Sequence, residues 1–175
     1  MASNMKKYIL TALTLGIIAA GSAALIGGVN LLTRNRITQN ELNNFNKGIV
    51  AIFGDQASVN MQYKNGGNGN YVQEWYWVHF EDQSPSAYVF KTSGSNSYGK
   101  VTLLVGFTSS KFFTGTYVIT NEQTYASTLV DNYLVPVNEG NRDIEDVGCG
   151  ATYGAELVRL MIEDAQTMCN GIIID

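Results

Sequence analysis

Side chains that most often break bonds at neutral pH are scarce here, with one histidine and two cysteines among 175 residues. His79 has no Cys or carboxylate neighbour at metal-ligand spacing, so it reads as a partly buried strand residue rather than a ligand. The sequence holds no Gly-x-Ser-x-Gly elbow, and a single histidine without a partner argues against a nucleophilic triad. Basic residues are also few. Eleven Lys and Arg against fifteen Asp and Glu give a formal charge of -4, which leaves no contiguous basic surface for nucleic acid. Cys149 and Cys169 are too few for a disulfide framework and flank an expected helix that holds them apart, so two free thiols are expected.

What is present supports one buried core, since 45% of the residues are hydrophobic in a chain of single-domain length. The run Tyr8–Leu32 carries no charge and is long enough for a helix to cross the hydrocarbon core with some tilt. Residues 1–34 therefore read as a retained single-pass membrane anchor. Gly21, Ser22, Ala23 and Ala24 would suit a cleaved signal, but the apolar stretch continues past them. Lys6 and Lys7 precede the run and Arg34 and Arg36 follow it, so only the terminal amine tips the balance toward a cytoplasmic N-terminus. The rest of the chain is then expected on the extracytoplasmic side of the cell membrane.

Residues 35–54 read as a helical connector, with Ile37, Leu42, Phe45, Ile49 and Phe53 along one face and Gly54 as its end. Residues 55–175 form the remaining domain. From Asp55 to Gly140 the chain reads as a β-rich body, with strands at Tyr71–Phe80, Ala87–Thr92, Lys100–Phe107 and Phe112–Thr120. Turn clusters are expected at Asn65–Asn70 and Ser93–Ser97. Val101–Phe107 is apolar on both alternating faces, which predicts a sheet covered on each side. Trp75 and Trp77 share one face of their strand and read as core or interface. The fold class is α+β, two or three layers, with a mostly antiparallel sheet packed against helices.

The segment 155–168 is an amphipathic helix, since Ala155, Val158, Met161, Ile162, Ala165 and Met168 recur at intervals of three and four. Thr152 stands just before it. From the residues alone, its hydroxyl is expected as an N-cap accepting a first-turn amide. A phosphate suits the same place, because free amides and the helix dipole stabilise an anion there, and Gly150, Ala151 and Gly154 leave room beside it.

The four residues Cys149-Gly150-Ala151-Thr152 resemble the flavinylation signature of FMN-binding domain proteins, in which Ser or Thr, Gly, Ala and then Thr or Ser precede a helix. These are the G subunit of Rnf electron-transport complexes and the C subunit of sodium-pumping NADH:quinone oxidoreductases. Beyond the motif, the resemblance extends to the N-terminal membrane helix, the helical connector, the sheet segment Ser97–Phe107 and the loop Asn121-Glu122-Gln123-Thr124, in the same order. Cys149 departs from the usual hydroxyl residue. Tyr125-Ala126-Ser127-Thr128 also stands where many relatives have Pro-Gly-Leu-Gly.

The resemblance implies FMN joined covalently through its phosphate to Thr152, with Cys149, Gly150, Ala151 and Tyr153 around the bond and Glu122 and Thr124 as polar contacts to the flavin. It implies three partners: the membrane, other subunits of an electron-transport complex, and a flavin transferase for maturation. The expected role is an electron carrier with no catalytic residue and no metal of its own, in an Rnf-like ion-translocating complex or an extracellular electron-transfer chain. A pilin-like or adhesive surface protein without cofactor is the alternative reading, in which Cys149 and Cys169 would form a disulfide and Thr152 would be a plain cap.

Overall fold

The computed structural model describes residues 13–23, 40–55, 57–59, 65–66, 69–80 and 86–172. The chain divides into two units, Met1–Asn43 and Asn44–Asp175. In the first, residues 13–23 are helical, and Leu13, Leu15, Ile17 and Ile18 are all exposed. Among the described residues no helix is long and apolar enough to cross a membrane. Most of the expected anchor Tyr8–Leu32 lies outside the described residues.

A helix over residues 40–53, α1, ends at Gly54, whose φ of 90° is the left-handed conformation that closes a helix at little steric cost to glycine. The Gly54 amide still reaches the Val50 carbonyl at 2.8 Å. The strands then follow as β1 (Ala57–Val59), β2 (Asn65–Gly66), β3 (Val72–Phe80), β4 (Ala87–Asn96), β5 (Gly99–Phe107) and β6 (Phe113–Asn121). All pairings are antiparallel, in the order β1-β3-β4-β5-β6, with β2 also on β3.

Alternation along the strands feeds two apolar layers. Tyr88, Phe90, Val101, Leu103, Val105 and Phe107 point to one face, where the C-terminal helix α4 (Thr152–Gly171) packs. Tyr76, Val78, Ala87, Val89 and Leu104 point to the other and meet Phe45 and Ile49 of α1. This is a three-layer α+β domain with its sheet covered on both faces, as the two-sided apolar pattern predicted. Trp75 and Trp77 pack against the α4 layer, and Trp75 stacks on Phe90 with centroids 6.3 Å apart. His79 Nδ1 lies 3.2 Å from the Ser86 hydroxyl.

Three expectations are corrected. The cluster Asn65–Asn70 begins as strand, since Asn65 and Gly66 pair with Trp75 and Glu74 of β3. The polar cluster Ser93–Ser97 is strand as far as Asn96, pairing from Ser93 with Thr102 to Asn96 with Gly99. Polar residues suit a strand end whose backbone ladder is complete, and the Ser93 and Thr102 hydroxyls meet across it at 3.1 Å. The reversal falls at Ser97 and Tyr98, where Asn96 Oδ1 accepts the Tyr98 amide at 2.9 Å.

The region read as β-rich to Gly140 also ends in helix. Short helices α2 (Ala126–Leu129) and α3 (Val135–Asn138) enclose a π-helical turn, Val130–Leu134. Leu129, Tyr133, Leu134 and Val137 bury one side of this segment at helical spacing. Pro136 has no N–H for the carbonyl four residues back, that of Asn132, and the wide turn absorbs the break.

Candidate functional site

The start of α4 lies beside the β4–β5 reversal and the end of β6. A pocket of about 240 Å³ opens there, with Gly150, Ala151, Thr152, Tyr153 and Gly154 along one side. Tyr98 from the reversal, Gln123 after β6, and Tyr125 and Leu129 from the α2 region complete its walls.

Thr152 is the first residue of α4, and the N-cap is Ala151, which makes no side-chain cap bond. The expected capping role of Thr152 is therefore corrected. The helix starts at Thr152, three residues before the expected Ala155, and a residue with helical backbone at the first position is not the N-cap. Its side chain is exposed and forms no hydrogen bond among the described residues. Amides of Gly154 and Ala155 donate to the Ala151 carbonyl at 2.9 and 3.0 Å. Those of Thr152 and Tyr153 precede these bonds and belong to the set of helix N-terminal donors that attract an anion.

Around this hydroxyl, Cys149 and Ala151 are buried, each at 7% exposure, and anchor the loop in the core. Gly150 has φ 85°, a value that an L side chain adopts at a cost. Tyr153 is 68% exposed and stacks on Tyr98, the ring centroids 5.3 Å apart and the planes 16° from parallel. Asn96 ties the reversal to the helix, since its Nδ2 donates to the Tyr153 carbonyl at 2.9 Å.

Glu122 and Thr124, expected as flavin contacts, are exposed and do not line the pocket. Their amides donate to the carbonyls of Lys100 and Tyr98 and so continue the sheet edge. Between them Gln123 is buried and faces the pocket. Its Nε2 is held by Asn96 Oδ1 at 3.0 Å and by the Gly99 carbonyl. Gln123, Tyr98 and Tyr125 were not singled out in the sequence. Alternation past the end of β6 is the one signal that separates Gln123 from its two neighbours.

No lysine or arginine lines the pocket, so any negative charge there would rest on backbone amides and the helix dipole. The nearest charge cluster along α4 is spent on itself: Arg159 bonds Glu156 and Glu163 and approaches Glu145 at 3.6 Å. The Arg159 hydrogen bond holds the Glu156 carboxyl below its ordinary range, and the same bond raises Arg159. Both thiols are free and buried, Cys149 three residues before α4 begins and Cys169 in its last turn.

Residues 1–47 match the family model described as the RnfG N-terminal region. It covers 47 of the 175 residues and does not reach the pocket. No curated protein matches the chain.

Proposed function

We propose that this chain is an RnfG-like, membrane-anchored electron carrier that holds FMN covalently on Thr152. The family match supports the coarser statement, a subunit of an Rnf electron-transport complex. The observation that carries the finer one is the Thr152 hydroxyl: exposed, free of any cap bond, and at the mouth of a pocket on the first residue of a twenty-residue helix.

The residues present fit the group. A phosphodiester on Thr152 would lie at the helix N-terminus, where the amides of Thr152 and Tyr153 and the helix dipole offset its single negative charge. Gly150, Ala151 and Gly154 keep side-chain bulk away, and Tyr98, Tyr125 and Tyr153 offer aromatic surface to a tricyclic ring. With about 240 Å³ available, below the usual range for a fully enclosing ligand site, the ring would be partly open to an electron partner. When bound, the isoalloxazine supplies reversible electron acceptance, and the protein supplies its position.

Attachment is the work of a separate flavin transferase acting on FAD. A P–O bond forms to the Thr152 oxygen as the pyrophosphate bond breaks, AMP leaves, and the hydroxyl proton passes to solvent. A covalent tether prevents loss of the cofactor on the extracytoplasmic side. Exposed Leu13, Leu15, Ile17 and Ile18 on the helical residues 13–23 are consistent with burial in lipid, within an uncharged run of spanning length.

Intact mass measured after production with and without a flavin transferase tests the proposal. The expected result is an increment of FMN minus water only with the transferase, absent from Thr152→Ala and retained in Cys149→Ser. A Thr152→Ala protein that keeps flavin after denaturation would overturn the assignment.

A further inference from the structure

Resting on that reading, we propose that Asn132 and Arg142 are positioning residues that hold the attachment loop in the shape in which Thr152 accepts the flavin. The loop from Asp143 to Ala151 contains no regular structure, and its own backbone bonds stop at the Cys149 amide, which reaches Val147 at 2.9 Å. Two side chains grip it just before the motif. Asn132 Nδ2 donates to the Cys149 carbonyl at 3.2 Å, and Arg142 Nη2 donates to the Gly148 carbonyl at 3.5 Å.

The clamp is itself made possible by the break in the preceding helix. Pro136 cannot donate to the Asn132 carbonyl, and Arg142 Nη1 takes that acceptor at 3.0 Å. The Pro136 carbonyl accepts the Arg142 amide at 3.2 Å, which turns the chain back toward the π-helical turn. Asp146 pairs with the same guanidinium at 3.3 Å and accepts the Gly148 amide at 3.3 Å. One planar donor thus links the helix carbonyl, the loop carbonyl and the loop carboxylate, a geometry an ammonium does not reproduce.

Neither residue lines the pocket or touches Thr152, so both act through the loop. Gly150 sits between the clamp and Thr152 with φ 85°, a position free to swing once its anchor at Cys149 is released. Loss of the clamp is therefore read as poorer presentation of the hydroxyl rather than loss of the fold.

Full-length Asn132→Asp and Arg142→Lys proteins are compared with wild type as substrates of the transferase, with Asn138→Ala as a control. Asn138 binds Thr116 at the end of α3 and makes no bond to the loop. The expected result is kcat/KM for FMN addition reduced about tenfold or more in both clamp variants, as small misplacements of a reacting group produce. Asn138→Ala should label at the wild-type rate. Amide exchange at Gly150–Tyr153 in the unmodified proteins should rise in the clamp variants and not in the control, a readout that needs no flavin. Wild-type labelling and exchange in both clamp variants, or equal losses in Asn138→Ala, would overturn the inference. A wild-type protein that never takes FMN sinks the attachment reading instead, while the exchange measurement still decides whether the clamp holds the loop.

Discussion

Tyr98 and Tyr153 lie nearly parallel, 5.3 Å between ring centroids, and join the β4–β5 reversal to the first turn of α4. Both rings are exposed, at 39% and 68%, an unusual arrangement for an aromatic pair with no cover. Their contact defines one wall of the pocket beside Thr152.

A double-mutant cycle on this pair, Tyr98→Ala with Tyr153→Ala, should return a coupling of about 0.5–1.5 kcal/mol in urea unfolding. The coupling should lie toward the low end because water already reaches both rings. A value indistinguishable from zero would mean the rings are adjacent without stabilising the site.

Asp164 fixes the other end of the α4 interface. Its Oδ2 accepts the amides of Tyr71 and Val72 at 2.6 and 3.0 Å and so ties the beginning of β3 to the helix. Asp164→Ala leaves two partly buried amides unpaired and should cost about 1–3 kcal/mol, read as a lower urea midpoint at unchanged slope. Asp164→Asn, which keeps one acceptor oxygen, should recover part of the loss.

Cys169 is fully buried, and burial pushes its thiol up to about 11. The folded state therefore favours the protonated thiol. Its contribution to stability is whole below the unfolded thiol range near pH ~8.5 and is lost as pH rises from there through the folded value. At pH 8 the native protein should react with a thiol reagent far more slowly at Cys169 than the urea-unfolded chain does. Mass mapping of the labelled peptides checks this, and equal rates in the two states would contradict the burial.

Much of the domain was legible because its signals are local. Four strands followed from alternation and β-branched content, and the apolar runs on both faces of β5 required a sheet with two covers. Gly54 and the stripe through Phe45 and Ile49 gave the connector and its end. The segment 126–138 was not read as helix, because Pro136 lacks an amide donor and the β-branched Val130, Val135 and Val137 favour strand by local propensity. Only packing of Leu129, Tyr133, Leu134 and Val137 against the core keeps it helical.

The sequence by itself determined that α4 exists, that small residues precede it, and that a hydroxyl stands at its mouth, since helix period and steric size are properties of neighbouring residues. Tertiary structure alone decided what surrounds that hydroxyl. Ala151 rather than Thr152 occupies the cap position, Gln123 rather than Glu122 or Thr124 turns into the pocket, and Arg142 reaches the Gly148 carbonyl. Those outcomes depend on where separate segments meet once the apolar faces are buried, and no local pattern encodes such a meeting.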